Sequence, residues 1–228
     1  VPLAAPSDQP RTLVDQAARA ILSAAARGEV LPDDRLVEAD IARALGISRV
    51  PVREALRLLE SQGVVVSIPY KGMRLMPVSN RSAGEIMRVR GALESLAIQE
   101  IAAAGAPEPM ALAEGQGAAE RYAEAVAGSD LGLIVAADEA FHAALCRMGG
   151  NAVLYAVWIG VARQLSVVWA LGHTTRPYVR TVGEHRRILA AIVAGHFGAA
   201  TETLLDHISW HGETDFEGEI ARRRAARG

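Results

Sequence analysis

Four side chains in the C-terminal part of the chain stand where helical periodicity calls for apolar residues. In SDLGLIVAADEAFHAALCRM the line Leu131, Ile134/Val135, Asp138, His142, Leu145 follows one helix face, so Asp138 and His142 interrupt a core stripe. The stripe Val182, His185, Ile188/Leu189, Ile192 carries the same substitution, and Leu204, His207, Ile208 carries it again. A single histidine on an apolar face needs only a hydrogen-bond partner and is an ordinary core residue. Three histidines and a carboxylate on three helices are a different matter, since burying each unpaired costs on the order of 1 to 3 kcal/mol. One divalent cation satisfies all of them. Imidazole suits Zn, Ni, Co, Cu or Fe, and the carboxylate oxygen extends the set to Mn; zinc is the first expectation. Four protein ligands leave octahedral positions open, so an anionic oxygen from a small molecule can complete the coordination sphere. Such a centre could also activate water, but no general base stands beside the ligands and no phosphate loop is present. A metal-dependent hydrolase is therefore the weaker alternative, behind a switch in which the cation itself is the signal. Of the remaining histidines, His173, His196 and His211 fit no stripe and are expected at the surface, with His211, one turn past His207, an alternative ligand.

Two further charges face inward. Arg90 and Glu94 lie on the stripe Met87, Arg90, Glu94, Ala97, Ile101, where they can pair with one another. Arg163, on Ala156, Gly160, Arg163, Val167, is a weaker instance of the same kind.

A second kind of chemistry is written in SRVPVREALRLLESQG, residues 48–63. A proline destroys a helix interior but not a first turn, whose N–H groups have no intrahelical partner to lose. Pro51 thus marks a helix start, with Ser48 the expected N-cap. Val52, Ala55, Leu56 and Leu59 form the inward stripe, and Arg49, Arg53 and Arg57 share another face. Cations at a helix N-terminus oppose its macrodipole, so Arg49 and Arg53 are expected to meet an anion outside the helix. A preceding helix near Glu38 to Leu45, closed by Gly46, then a short turn and a helix opening on Ser-Arg, is helix-turn-helix spacing, in which the second helix reads the major groove. VVVSI and MRLMPV flank the turn PYKG and predict a hairpin, a wing with Lys71 at its tip to meet phosphate. Residues 35–75 hold seven basic against four acidic side chains, clustered on the turn, helix start and wing.

The elements that position these groups are mostly helices. Residues 11–27 give one amphipathic helix, and with the two just described and the hairpin they form an N-terminal module, residues 10–78. Beyond Pro77-Val78-Ser79-Asn80 only long helices follow, about six of them, broken near Gly105, Gly128, Gly149, Gly172 and Gly195. The fold class is mainly α: a winged helix-turn-helix of three helices and a small hairpin, then an all-helical antiparallel bundle, residues 79–228. The chain has 228 residues, half of them hydrophobic, enough for two cores. A formal net charge of −2 would not by itself suggest nucleic acid. The single cysteine, Cys146, excludes an internal disulfide and agrees with a reducing compartment. No signal-like N-terminus and no stretch near the roughly 18 charge-free apolar residues of a membrane span is present, so the expectation is a cytoplasmic protein without membrane contact.

The segment RLVEADIARALGISRVPVREALRLLESQGVVVSIPYKGMRL resembles the winged helix-turn-helix of the GntR family of bacterial transcription regulators. Residues 48–56 match its Ser-Arg-x-Pro-Val-Arg-Glu-Ala-Leu hallmark with Val50 in the free position, after Ile41-Ala42-Arg43-Ala44-Leu45-Gly46. The resemblance implies that Arg35 and Gly72 contact operator DNA together with Arg49 and Arg53. The chain after residue 80 is similar to the helical FCD effector domain, in which an Asp-x-x-x-His pair and two later histidines bind a metal ion; Asp138, His142, His185 and His207 fall on those positions in order. By the same resemblance Arg90 of the Arg90-x-x-x-Glu94 pair meets the carboxylate of a small organic acid effector, with Glu94 and Arg163 the other candidate effector-binding residues, and the helix count favours the six-helix, VanR-like branch. The implied assembly is a homodimer on a pseudo-palindromic operator, with repression relieved by effector the commoner logic.

Overall fold

The computed structural model describes residues 12–172, 178–209 and 214–227, without the side chains of Leu131, Ala170 and Gly172. The readings of His173 and His211, and the first residues of the N-terminal module, lie outside the described residues. Two compact units part after Pro77.

In the first unit, Thr12 opens α1 (Leu13–Ala26) with a reciprocal cap: its hydroxyl accepts from the Asp15 amide, and the Asp15 carboxylate accepts from the Thr12 amide. α2 (Glu38–Leu45) closes on Gly46 at φ +65°, a left-handed turn that glycine adopts without a Cβ clash. α3 (Arg49–Ser61) follows, with Pro51 in its first turn. Ser48 holds the N-cap position, but its hydroxyl makes no capping bond, contrary to expectation. The reason is local: a capping oxygen bonds the N–H of the second or third helical residue, and the third here is Pro51, which has none. α1 and α2 pack on α3, whose Val52, Ala55, Leu56 and Leu59 are fully buried. β1 (Val65–Ile68) and β2 (Gly72–Leu75) pair antiparallel, Val65 opposite Leu75 and Ile68 opposite Gly72. Residues 33–36 run along the other edge of β2: the Asp33 amide donates to the Leu75 carbonyl at 3.1 Å, the Leu36 amide to the Met73 carbonyl at 2.9 Å, and Arg35 bridges Arg74.

The second unit holds α4 (Asn80–Ala104), α5 (Pro109–Gly128), α6 (Leu131–Met148), α7 (Ala152–Gly172), α8 (Tyr178–Val193), α9 (Phe197–Ser209) and α10 (Phe216–Ala225). Seven described helices replace the six expected. The additional one, α10, has no apolar stripe to betray it, burying only Phe216 and Glu219. It is held instead by charge: Asp215 caps it, Glu217 and Glu219 occupy its first turn and Arg222, Arg223 and Arg224 its last, each set at the end its sign favours. α4 packs against α6, α7 and α9, α5 against α6 and α8, and α8 against α9. The window Ala152–Trp169 of α7 reaches the length and mean apolarity of a membrane span, but it contains Arg163 and so is not a charge-free run. Here that apolarity is spent on packing: Leu154, Trp158, Leu165 and Val168 are buried where α7 meets α4 and α6.

Candidate metal centre and DNA-reading surface

Asp138 and His142 stand one turn apart on α6, His185 on α8 and His207 on α9, and one ligand atom of each lies within 4.8 Å of the others, all four residues being buried. His142 Nε2 is 3.1 Å from His207 Nε2, and His185 Nε2 is 3.3 Å from Asp138 Oδ1. Ligand atoms bonded at about 2.0–2.1 Å to one ion stand about 3.0 to 3.4 Å apart at octahedral to tetrahedral angles. The two short separations fall within that span.

The far sides of two rings explain why their inner nitrogens face each other. Glu94 Oε2 lies 2.8 Å from His142 Nδ1, and Glu184 Oε2 lies 2.9 Å from His207 Nδ1. Burial works to raise the pKa of Glu94, but the Arg90 charge, His142 and their hydrogen bonds outweigh it and hold the carboxylate at about 2. At Glu184 burial is likewise outweighed, by hydrogen bonds from His207 and Arg180 with their charges, and the result is again about 2. Ionised carboxylates only accept, so each Nδ1 carries the proton and each Nε2 lone pair is turned inward. Two lone pairs 3.1 Å apart repel unless a proton or a metal ion lies between them. This is the carboxylate–histidine pairing that orients ligands in metal sites, and the donor set fits a divalent ion. His185 is placed by rings instead: Phe141 stacks on it with centroids 4.0 Å apart, and Tyr122 meets it edge-on at 4.8 Å.

Glu94 has a third role. Its Oε1 accepts from Arg90 Nε at 2.8 Å and from Trp158 Nε1 at 2.9 Å, so Arg90 and Glu94 do pair, with neither exposed at all. The Arg90 guanidinium lies 5.1 Å from the Trp169 ring centroid, a cation–π contact. Its two terminal nitrogens are buried without a hydrogen-bond partner among the described residues. Arg163 is half-buried on α7, and its charge opposes the rise that burial gives the pKa of Glu139 on α6. His196 is exposed. Sequence reasoning missed Glu184 and did not foresee that Glu94 also reaches His142. The available signal was a repeated spacing: Arg90-x-x-x-Glu94 and Arg180-x-x-x-Glu184 each set an arginine one turn before a carboxylate, and Arg180 Nε does reach Glu184 at 2.5 Å.

On the first unit, the arginines of α3 are not left without an anion. Glu38, the first residue of α2, accepts from Arg53 Nε at 3.0 Å and Arg53 Nη2 at 3.0 Å, and from Arg49 Nη2 at 3.4 Å. That corrects the expectation that only an external anion answers them. Arg57 turns to Glu54 at 3.1 Å. Gly72 adopts φ +79°, and a Cβ there would come 3.6 Å from Arg35 Nε, so the wing glycine and Arg35 share one patch. Lys71 and Tyr70 project from the wing tip, Tyr70 fully exposed.

A winged helix-turn-helix followed by a helical unit with a buried Asp/His cluster is the architecture of a DNA-binding regulator with a second, helical domain. The comparisons specify it: residues 13–75 match the bacterial regulatory proteins of the gntR family, and residues 85–209 match the FCD domain. The chain belongs to the GntR family of transcriptional regulators, in its FCD-containing branch. It is 28% identical over 198 residues to a probable D-xylose utilization operon transcriptional repressor of Paenarthrobacter nicotinovorans, covering 87% of this chain and 86% of that one. It is 37% identical over 135 residues to an uncharacterized HTH-type regulator of Agrobacterium vitis, covering 58% of this chain and 78% of the other. Among solved structures, McbR/YncC of Escherichia coli superposes with a TM-score of 0.75 at 22% identity, over 95% of this chain and 99% of that one, which shows a shared fold.

Proposed function

We propose that this regulator binds operator DNA as a homodimer, and that its C-terminal unit holds a divalent cation, zinc first, on Asp138, His142, His185 and His207, beside which a small carboxylic acid binds and alters DNA affinity. The inward-facing Nε2 atoms of His142 and His207, 3.1 Å apart and each backed by an ionised carboxylate, carry the metal reading. When bound, the ion supplies a positive charge and open positions for an anionic oxygen. Arg90 supplies the second point of attachment: its guanidinium keeps two terminal nitrogens after pairing with Glu94 through Nε, and a carboxylate accepts such a fork side by side. On DNA, Arg49, Arg53 and Arg35 face the groove, the Ser48 hydroxyl is released for phosphate because it caps nothing, and Lys71 with Gly72 brings the wing to the backbone. An acid that binds the two DNA arrangements of the dimer unequally shifts operator occupancy by that difference in affinity.

The test is a thermal-shift screen of small carboxylic acids on zinc-loaded protein, repeated on Arg90→Ala. Zinc alone should raise the midpoint of the native chain and leave His142→Ala and His207→Ala unmoved, and an acid that stabilises the native chain should lose most of its effect in Arg90→Ala. Stabilisation by zinc that survives both histidine substitutions overturns the metal assignment.

A further inference from the structure

The Glu38 carboxylate sits against the two arginines that open the recognition helix. Its bond to Arg53 is side-on, taking Nε–H and one Nη2–H. A guanidinium has five N–H donors in a rigid plane, so three remain, two of them on the end-on edge formed by one hydrogen of Nη1 and the second hydrogen of Nη2. That edge is the one that pairs with O6 and N7 of guanine. Glu38 is fixed in its turn. It stands at the N-terminus of α2, where the helix macrodipole favours a carboxylate, and its side chain is 24% exposed against 45% for Arg53 and 63% for Arg49. The more buried partner is the acid.

From this we infer that Glu38 is a specificity-determining positioning residue: it stays paired with Arg53 in the complex and holds the end-on edge of that arginine at the angle needed to read a guanine in each half-site. The inference rests on the reading that Arg53 meets base edges. Glu38 itself touches no base. An anion in a DNA-facing surface repels every phosphate alike, so it weakens binding to all sequences; only a site that offers Arg53 its guanine recovers the loss. Discrimination, not affinity, is what such a residue adds. A guanidinium released from Glu38 would be free to settle on the phosphate backbone, which carries no sequence information.

The experiment selects binding duplexes from a random pool with the full-length native chain, Glu38→Gln, Glu38→Asp and Arg53→Ala, each first shown to be folded by circular dichroism and thermal melting. The native chain should recover a symmetric site with a guanine preference that Arg53→Ala loses. Glu38→Gln should weaken that same guanine preference about tenfold, in line with the discrimination of one bidentate pair, leave the other positions unchanged, and bind scrambled duplex at least as tightly as the native chain. Glu38→Asp, which keeps the charge on a shorter arm, should recover part of the preference. If the Glu38→Gln site equals the native one while Arg53→Ala has lost its guanine, the inference fails and the role of Arg53 stands. If Arg53→Ala keeps every preference, the reading of Arg53 itself has failed. Folded Glu38→Gln protein that loses all positions equally also overturns the inference, because the carboxylate then acts on the whole surface rather than through one arginine.

Discussion

The buried pair Arg90–Glu94 makes an asymmetric prediction. Replacing Glu94 by Gln keeps the shape but removes the carboxylate paired with a guanidinium that has no exposure, and it places an amide where three donors, Arg90 Nε, Trp158 Nε1 and His142 Nδ1, converge. Stranding one member of a buried ion pair costs about 3 to 5 kcal/mol. Replacing Arg90 by Met keeps the apolar stem over Trp169 and leaves Glu94 two of its three donors, and a carboxylate robbed of its cation can take up a proton, which a stranded guanidinium cannot shed. It also deletes two terminal nitrogens that are buried without hydrogen-bond partners among the described residues. The loss of one charged hydrogen bond, about 1.5 to 3 kcal/mol, is therefore offset by a desolvation penalty of about 1 to 3 kcal/mol that no longer applies. The net change expected lies between a gain of about 1.5 and a loss of about 2 kcal/mol. For a unit of this size each kcal/mol moves the thermal midpoint by about 2 to 4 °C, so Glu94→Gln should fall by roughly 6 to 20 °C and Arg90→Met by no more than about 8 °C. The assay is calorimetry in chelator at matched protein concentration, so that neither metal nor subunit association contributes by mass action. Equal losses, or a larger one in Arg90→Met, refute the view that Glu94 is the hub and Arg90 its dependent.

Other outcomes follow from the same contacts. Glu184→Gln should leave the fold intact but weaken zinc binding by about 10- to 100-fold, the usual effect of losing a carboxylate behind a histidine ligand; competition against a chromophoric chelator measures it, and an unchanged affinity would detach Glu184 from the centre. Cys146 is fully buried, and burial, with the Glu94 charge behind it, raises its thiol pKa far above the ordinary range, so a disulfide reagent at neutral pH should label it only at the rate of unfolding. Rapid stoichiometric labelling of folded protein would contradict that burial. Lys71→Ala should weaken binding to all duplexes alike and lower the slope of log affinity against log salt by about 1 for each subunit contact removed, whereas a sequence-dependent effect would make the wing a reader of bases.

The residues legible in the sequence are those that break a pattern within their own helix. Asp138, His142, His185 and His207 each displace an apolar residue from a stripe, and Pro51 can stand only in a first turn. The residues that stayed hidden act across helices. Glu184 precedes His185 by one position, which on a helix is a turn of about 100° away from the stripe, so from α8 alone it looks like a flanking charge. It becomes internal because α9 packs on that side and brings the far nitrogen of His207 to it. Glu38 is hidden in the same way, since its partners lie on α3, and α10 because charge rather than burial holds it.

The two carboxylates behind His142 and His207 nonetheless share a written form, an arginine four residues earlier on the same helix. Each arginine holds its glutamate ionised, the glutamate fixes the proton on Nδ1, and the imidazole lone pair is thereby aimed at the centre. The two chains differ at their outer ends: the Arg180 side chain is 57% exposed while Arg90 is sealed. Neutralising the exposed arm therefore meets compensation from water, which can solvate Glu184 in place of Arg180, whereas nothing but a bound anion or a rearranged helix can answer the unused donors of Arg90. Arg180→Met should accordingly change zinc affinity by less than Glu184→Gln does, and a larger loss in the arginine variant would show that charge, rather than the orientation of His207, is what the outer arm supplies.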